Sequence, residues 1–382
     1  MSATSIHPKT EVQKHMKLIQ RPALFAIAVL AFLSVSKADS QIPVRVVVIT
    51  AFQGGADDDP TKGEFGNWVL NLPLPQTIPF PQGYHHLRYN RELQVLGIVT
   101  GQGKSHAAAS IMGLGMDPRF DLSKAYWVVA GIAGVNPNEA SVASTAWAKF
   151  VVDGDLAYQI DARQIPKGWS TGYVPLGRSR PYEKPYQPFD SNGVQQVYQL
   201  NASLADWAFS LTEHTHLPDD SNLQKVRSGY LTYPMAIRPP FVLEGDDLTA
   251  DTFWLGDLLN TRAEKWISYW TAKQGSFVTS EFEDAGVGQA LQFLSQVGRA
   301  DQNRLLVLRS GSDYTLQPDG QTPAEFLASE VSGTLSGFRE SLNDVYEVGS
   351  IVVKKLSSDW NIYEDQIPSP AVVPPLPTVT KN

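Results

Sequence analysis

The sequence predicts an α/β fold in which helices cover both faces of a mixed central sheet. Short apolar runs rich in β-branched residues alternate along the chain with segments whose apolar residues recur at helical spacing. Residues 43–50, PVRVVVIT, are the clearest strand, and residues 287–297 are the clearest amphipathic helix. Continuous apolar runs indicate strands that are buried on both faces, so we expect three layers: helix, sheet and helix.

The composition is that of a globular protein, with 382 residues of which 42% are hydrophobic and 18% are charged. The formal net charge of −8 argues against nucleic acid as a partner, because phosphate binding requires a basic face. There are no cysteines, which excludes disulfides, thiolate catalysis and cysteine-ligated metal sites. No convincing set of ligands has the spacing of a known metal site, so we expect neither a metal nor a cofactor.

Residues 1–38 have the pattern of a secretory signal peptide. Positively charged residues precede an apolar stretch at residues 23–33, and the small residues Ser36 and Ala38 occupy the cleavage positions. An uncleaved anchor is the alternative, but the apolar stretch is shorter than the roughly 20 residues that span a bilayer. We therefore expect an exported protein, periplasmic or extracellular, whose contact with a membrane is limited to this signal.

The remainder of the chain has no internal linker, so we expect one domain over residues 43–365 and a disordered, proline-rich tail over residues 366–382. The strands predicted within the domain are residues 43–50, 93–100, 126–130 and 305–308, with a hairpin over residues 150–160 about Asp153-Gly154-Asp155. The predicted helices are residues 107–114, 200–211, 261–271, 287–297, 323–335 and 337–352. Residues 161–190 are expected to form an extended, aromatic-rich loop region.

Two carboxylates stand at the ends of neighbouring predicted elements. Glu283 lies where the helix before Gly298 begins, and Asp313 follows a Ser-Gly-Ser sequence that is expected to end the strand at Leu308. In open α/β sheets ligands bind outside the carboxyl ends of the strands, so the two acids could converge on a site there. Each acid also has a simpler explanation, as a helix-start charge for Glu283 and as a turn residue for Asp313.

A second distinctive segment follows the buried strand at residues 126–130. In the segment Gly131, Ile132, Ala133 and Gly134, two of the four positions carry no side chain. Such a segment at the end of a central strand lets a ligand approach the backbone closely.

Several of these sequences occur together in the purine nucleoside permease family, which this chain resembles over residues 43–360. The segments that carry the resemblance are Gly101-Gln-Gly-Lys, Gly131-Ile-Ala-Gly-Val-Asn-Pro, Tyr158-Gln-Ile-Asp-Ala-Arg, Trp169-Ser-Thr-Gly-Tyr, Glu283-Asp284 and Leu308-Arg-Ser-Gly-Ser-Asp. A wider similarity to the nucleoside phosphorylase and nucleosidase superfamily implies a nucleoside phosphorylase-like fold, a purine nucleoside as ligand and assembly as a homo-oligomer.

The superfamily resemblance also implies roles for individual residues. Phe253 would stack on the base with Trp254 beside it, Glu283 would hold the ribose hydroxyls, and Asp313 would face N7 of the purine. The same resemblance adds further residues to the implied substrate site, namely Gly131, Ile132, Ala133, Gly134, Phe282 and Ser312.

Cleavage of a purine N-glycosidic bond builds positive charge on the sugar and negative charge on the departing base. A carboxylate near the ribose stabilises the first charge, and an acid that protonates N7 relieves the second. Because a free Asp has a pKa near 4, Asp313 must be partly desolvated, or share a proton with the base, to act as this acid. Glu283 and Asp313 are therefore the candidate catalytic pair.

The nucleophile is water or phosphate. Where superfamily phosphorylases carry an arginine and a serine that bind phosphate, this chain has Val129 and Ile132, which favours water. The residue that would activate the water is left open among the acids Asp57, Asp58, Asp59 and Glu64. Arg309 is expected to orient Asp313 or to pair with Glu283, and a purely structural salt bridge between strand and helix is the alternative.

Two functions remain open from the sequence. The first is an exported protein that cleaves purine nucleosides, by hydrolysis or phosphorolysis, in support of nucleoside uptake. The second is a purine nucleoside-binding component of nucleoside transport that performs no catalysis. No segment after the signal is long and apolar enough to cross a membrane, so a transport role would act through binding or through cleavage before uptake.

Overall fold

The computed structural model describes residues 41–183, 195–333 and 336–370. The predicted signal peptide lies outside the described residues, as do residues 371–382 of the predicted tail. Ile367, near the start of that tail, packs against the hydrophobic core.

The strands are numbered in chain order. They are β1 Ile42–Pro43, β2 Val46–Thr50, β3 Gln76–Ile78, β4 Leu87–Asn90, β5 Val95–Val99, β6 Phe120–Asp121, β7 Tyr126–Val135, β8 Thr145–Trp147, β9 Phe150–Asp153, β10 Ala157–Gln159, β11 Tyr173–Pro175, β12 Val197–Gln199, β13 Val242–Glu244, β14 Asp246–Thr249, β15 Phe277–Glu281 and β16 Leu305–Tyr314. The helices are α1 Gly66–Asn71, α2 Lys104–Gly115, α3 Ala202–Thr212, α4 Ser221–Arg227, α5 Asp257–Trp270, α6 Asp284–Gln296, α7 Pro323–Ser332, α8 Phe338–Ser358 and α9 Trp360–Tyr363, with 3₁₀ turns at Ala162–Gln164 and Gln302–Arg304.

Each predicted helix is present, with boundaries that shift by a few residues. The helix predicted to open with Glu283 and Asp284 begins at Asp284, and it ends where Gly298 adopts a left-handed conformation with φ of 68°. The predicted helix over residues 323–335 ends at Ser332, because Gly333 is also left-handed. Within the described part of the chain, no helix combines the length and the apolar character that crossing a bilayer requires.

The main sheet runs in the order β12-β9-β14-β15-β7-β2-β5-β4-β3, and β16 pairs with both β7 and β8. β7 is central, because it pairs in parallel with β2 and β16 and then antiparallel with β15 near its end. The combination of parallel and antiparallel pairs makes the sheet mixed, as predicted.

Helices cover both faces of this sheet. In β2, Val47 and Ile49 pack in the cluster that contains α2 and α6, whereas Val46 and Val48 pack in the cluster that contains α3 and α8. A strand that is buried on both faces has no solvent-facing positions, which explains its continuous apolar sequence. Burial of each such side chain stabilises the fold by about 1.5–3 kcal/mol. The predicted three-layer fold class is confirmed.

The predicted end of the strand at Leu308 is wrong, because β16 continues to Tyr314. Its partner β7 also extends past Ala130 to Val135, so residues of the Ser-Gly-Ser-Asp sequence still find a strand to pair with. The register shifts between Gly311 and Asp313, which leaves Ser312 as an extra residue in β16. With this β-bulge at Ser312, Asp313 remains within the part of β16 that is paired with β7.

The predicted hairpin over residues 150–160 is also wrong. β9 and β10 both form, but β9 pairs with β12 and β14 while β10 pairs with β11. The Asp153 carboxylate accepts hydrogen bonds from the backbone N–H groups of Asp155 and Leu156, both at 2.9 Å. Gly154 N–H donates to Thr249 O in β14, so the turn directs the chain away from β9.

Candidate functional site

A cavity of about 900 Å³ opens beside the ends of β7, β15 and β16 and beside the start of α6. Among its lining residues are most of those predicted for the site: Ile132, Ala133, Gly134, Phe253, Trp254, Phe282, Glu283, Ser312 and Asp313. Gly131 lies behind this wall, next to a smaller void that also touches Glu64 and Arg309. The structure thus brings Glu283 and Asp313 to one cavity, together with acids from other elements.

Arg309 of β16 lies behind one end of the cavity, at the smaller void, with a side chain that is only 2% exposed. Its guanidinium donates hydrogen bonds to Glu281 and Glu283, each at 3.1 Å, and to both carboxylate oxygens of Asp284. It also donates to the backbone carbonyl of Ile132 at 3.1 Å. Of the alternatives for Arg309, the structure shows pairing with Glu283 and also a salt bridge from the strand to Asp284 of α6.

Glu283 is the residue immediately before α6. Glu281 Oε2 accepts hydrogen bonds from the backbone N–H groups of Glu283 and Asp284, which fixes the start of the helix. The Glu283 carboxylate also accepts from Gly103 N–H at 3.3 Å. Burial raises the pKa of Glu283, and the opposing effect of Arg309 favours the ionised form.

Glu64 is the one acid of the four water-activating candidates that lines the cavity. Its carboxylate accepts from Ala51 N–H at 2.6 Å and from Ile132 N–H at 2.8 Å, and it lies 3.9 Å from Arg309 Nη1. Burial raises the pKa of Glu64, while Arg309 and these backbone donors oppose the rise. Asp57 instead bonds to His85, and Asp59 bonds to Thr61.

Gly131 is required at its position because two side chains approach it closely. A Cβ atom there would lie 2.5 Å from Arg309 Nη1 and 2.6 Å from Glu64 Oε1. The sequence predicted close approach of a ligand at this glycine. The structure shows instead that protein side chains occupy that space.

Asp313 lies at the other end of the cavity, directly after the bulge at Ser312. It is 8% exposed, and its carboxyl accepts a hydrogen bond from Ser312 Oγ at 2.7 Å. Burial raises the pKa of Asp313 to about 6, against the effect of the Ser312 hydroxyl. The expectation that an acid at this position needs desolvation therefore agrees with its surroundings.

Glu330 of α7 also lines this end of the cavity and was missed by the sequence analysis. Burial and the negative charge of Asp313 raise the pKa of Glu330 to about 8. Its place on an amphipathic helix gives no sequence signal of a site, since only the tertiary fold brings it to the cavity.

The two aromatic residues predicted beside the base have different surroundings. Phe253 is 54% exposed at the cavity, with its ring centroid 6.1 Å from that of Phe282. The Trp254 indole donates to Ser280 Oγ at 3.1 Å and packs against Phe277. Phe253 is thus available for stacking, whereas Trp254 is fixed in the wall.

Asp247, Glu281 and Asp284 form the group, among the described residues, that has the geometry to hold a metal ion. They offer oxygens within 4.8 Å of one another. Arg309 already donates to Glu281 and Asp284, so it supplies positive charge at this position. Asp247 Oδ2 and Glu281 Oε1 are buried without a conventional donor, and burial together with the charge of Glu281 raises the pKa of Asp247. A proton shared between these two carboxyls accounts for both oxygens.

Sequence comparison identifies relatives among fungal permeases. A probable purine nucleoside permease of Schizosaccharomyces pombe is 29% identical over 288 residues, covering 73% of this chain and 80% of that protein. A purine nucleoside permease of Candida albicans is 26% identical over 302 residues, covering 78% and 72%.

Structural comparison finds 5′-methylthioadenosine/S-adenosylhomocysteine nucleosidases. The enzyme of Neisseria meningitidis, in complex with methylthio-immucillin-A, aligns at a TM-score of 0.46 with 13% identity, covering 81% of this chain and 99% of that one. The Helicobacter pylori enzyme with butyl-thio-DADMe-Immucillin-A aligns at 0.49 with 14% identity, covering 82% and 99%.

The family model for purine nucleoside permease matches residues 43–368, which contain every residue of the cavity described above. This match extends over most of the chain and includes both the Arg309 cluster and the Asp313 end. The chain belongs to the purine nucleoside permease family.

Proposed function

We propose that this protein hydrolyses the N-glycosidic bond of purine nucleosides. The observation that carries the proposal is the cavity itself, which has carboxylates paired with a buried arginine at one end and a buried acid of raised pKa at the other. The family name supports a purine nucleoside as the ligand.

Glu283 is the residue proposed to bind the sugar. Its carboxylate faces the cavity while its second interaction, with Arg309, holds it in place at 3.1 Å. A carboxylate accepts hydrogen bonds from neighbouring hydroxyls and stabilises the positive charge that develops on the ribose.

Glu64 is proposed to activate the water. Two backbone N–H groups orient its carboxylate, and burial favours its protonated form, so it is a stronger base than an exposed glutamate. As the water oxygen bonds to C1′, its proton passes to Glu64. The electron pair of the C1′–N9 bond leaves with the base.

Asp313 is proposed to give its proton to N7 of the departing base. With a pKa of about 6, roughly a tenth of the Asp313 side chains carry a proton at pH 7, compared with about a thousandth for a free aspartic acid. The buried carboxyl thus provides a larger population of the acid form.

The charge of the cavity wall supports water rather than phosphate as the nucleophile. Glu64, Glu281, Glu283 and Asp313 all line it. Arg309, the cation at the sugar end, is already engaged by carboxylates. A phosphate anion would meet repulsion in this environment.

We also propose that the protein is exported and supplies free base for uptake, on the basis of the signal-like pattern in residues 1–38. Cell fractionation and N-terminal sequencing of the mature protein test this point. A protein that retains its full N-terminus inside the cell would contradict it.

The test of the activity is release of free base from inosine, adenosine and guanosine, with and without phosphate. Asp313→Asn and Glu283→Gln should each abolish most of the release. Asp57→Asn, which makes the same change at a carboxylate bonded to His85 away from the cavity, should not. Release that requires phosphate would show a phosphorylase. Saturable nucleoside binding with no release would show a binding component of transport.

A further inference from the structure

We infer that the Glu330 carboxyl hydrogen-bonds to the N1 edge of the purine base, so that near neutral pH the cavity accepts both 6-amino- and 6-oxopurine nucleosides. The inference rests on the proposed function and specifies which part of the base that site reads. It also predicts that 6-aminopurine nucleosides are the first to lose affinity as the pH rises.

The position of Glu330 on α7 directs its side chain inward. Phe326, one turn before it, is buried, whereas Leu327 and Val331 on the other face are exposed. The helix is fixed at its start by a capping box between Thr322 and Glu325. Glu330 thus occupies a core-facing position at which an apolar residue would be expected, and it lines the cavity.

The Glu330 carboxyl has an unused hydrogen-bonding group. Its Oε1 atom is buried and has no hydrogen-bond partner among the described residues. A buried polar atom without a partner lowers stability, so rotation of the Glu330 side chain towards a polar group of a ligand in the cavity would satisfy this atom.

The charged groups near Glu330 favour its neutral form. Asp313 faces it from β16, and burial together with the charge of Asp313 raises the pKa of Glu330 to about 8. Tyr230 is also close enough to be influenced by Glu330, but its hydroxyl donates to Leu316 O. The remaining charged groups at this end of the cavity wall are Asp220, Arg339 and Glu340; Glu340 accepts a hydrogen bond from Asn222.

A neutral carboxyl presents one donor and one acceptor side by side. Adenine offers the matching pair at N1 and N6, and hypoxanthine and guanine offer it at O6 and N1. An ionised carboxylate presents only acceptors, which suit the N1 and N2 donors of guanine but repel the N1 lone pair of adenine. Loss of the Glu330 proton should therefore weaken adenosine binding while guanosine binding is retained.

The experiment is calorimetric titration of the full protein at pH 6.5 and pH 8.5 with 9-deazaadenosine and 9-deazaguanosine, whose carbon–carbon glycosidic bond is not hydrolysed and whose N1 and C6 groups are those of adenosine and guanosine. The quantity compared is the affinity for the 6-aminopurine nucleoside divided by the affinity for the 6-oxopurine nucleoside. This ratio cancels the contribution of Asp313, because N7 is present in both bases. With a pKa of about 8, roughly three quarters of Glu330 is ionised at pH 8.5, so the ratio should fall about fourfold.

Two variants distinguish this role from a structural one. Glu330→Gln keeps a neutral donor and acceptor, so its affinity ratio should not change with pH. Glu347→Gln makes the same change on an exposed position of α8 and should retain the wild-type fall. Glu330→Ala should bind both nucleosides more weakly, again with a constant ratio.

The outcomes separate the two proposals. This inference is overturned if the affinity ratio of wild-type protein does not change with pH. It is also overturned if the affinity ratio of Glu330→Gln falls with rising pH as in wild type. In both cases the proposed function stands. If wild-type protein binds no purine nucleoside at pH 6.5, the proposed function fails, and this inference fails with it.

Discussion

The two ends of the cavity differ in whether a cation lies beside their buried carboxyl groups. At one end, Glu64, Glu281, Glu283 and Asp284 all lie within 4.0 Å of the Arg309 guanidinium. Burial raises the pKa of Glu64 and Glu283 there, but Arg309 opposes that rise. At the other end, neither Asp313 nor Glu330 forms an ion pair with any cation in the described residues, so burial raises the pKa of both with no cation to oppose it.

The difference shows how one strand can supply two kinds of chemistry. A guanidinium beside a carboxylate favours its ionised form, which suits the stabilisation of positive charge. Desolvation without a cation favours the protonated form, which suits proton donation. Arg309 and Asp313 are only four residues apart on β16, yet they lie in different electrostatic surroundings.

The largest expected effect comes from removal of the cation by Arg309→Met. Carboxylates that are nine-tenths or more buried would lose their partner, and loss of one member of a buried ion pair typically costs about 3–5 kcal/mol. Denaturant unfolding at pH 7 measures this loss. Arg91→Met, at an exposed position, serves as the control. A variant as stable as wild type would show that protons, rather than Arg309, stabilise this end.

Glu64→Gln tests whether the Arg309 end also supplies the base. The amide retains an acceptor for Ala51 N–H or Ile132 N–H but accepts no proton, so hydrolysis should fall by about 10²–10⁴-fold. Nucleoside affinity should change much less. Single-turnover base release and calorimetric binding measure the two quantities. An undiminished rate of hydrolysis would remove Glu64 from the mechanism.

The Asp313 end should leave a signature in the pH dependence of stability. Its pKa is raised from 3.8 to about 6, so its favourable contribution is complete below pH 3.8 and is lost as pH rises through about 6. At pH 7 wild type should therefore have lost roughly 3 kcal/mol relative to its stability at low pH. Asp313→Asn should lack this component. If the free energies of unfolding of the two proteins change with pH by the same amount from pH 4 to pH 7, the assigned burial effect is contradicted.

The smallest effect is expected for Asp247→Asn. Because Asp247 is proposed to carry the proton shared with Glu281, an amide replaces a group that is already neutral, and the change in unfolding free energy should be under about 1 kcal/mol. Glu281→Gln, which removes an ionised partner of Arg309, should cost more. Equal losses in the two variants, measured by denaturant unfolding, would rule out the shared proton.

The sequence predicted the architecture well because burial on both faces determines it. The continuous apolar run of β2 and the helical spacing of α6 are local patterns. They can be recognised from neighbouring residues without knowledge of the tertiary structure. The same patterns placed Glu283 at a helix start and Asp313 beside the strand that begins at Leu305.

Other parts of the site depend on contacts that no local pattern contains. The bulge at Ser312 results from pairing with β7, and the Arg309 cluster gathers acids from a loop, from β15 and from α6. Glu330 reaches Asp313 only through the packing of α7. The hairpin predicted at Gly154 does not form, because the side chain of Asp153 and the backbone of β14 bind the turn and direct the chain away from β9.

The bulge at Ser312 has a consequence for how such a site can change. In a regular strand, side chains four residues apart face the same side, so Arg309 and Asp313 would share one face. The extra residue reverses the alternation between them. If β16 paired with β7 without the bulge, with the sequence unchanged, Asp313 would lie on the side of the guanidinium, and that cation would lower its pKa. In this protein, the pairing register at one point of a strand determines whether an aspartate serves as an acid or as a counter-ion.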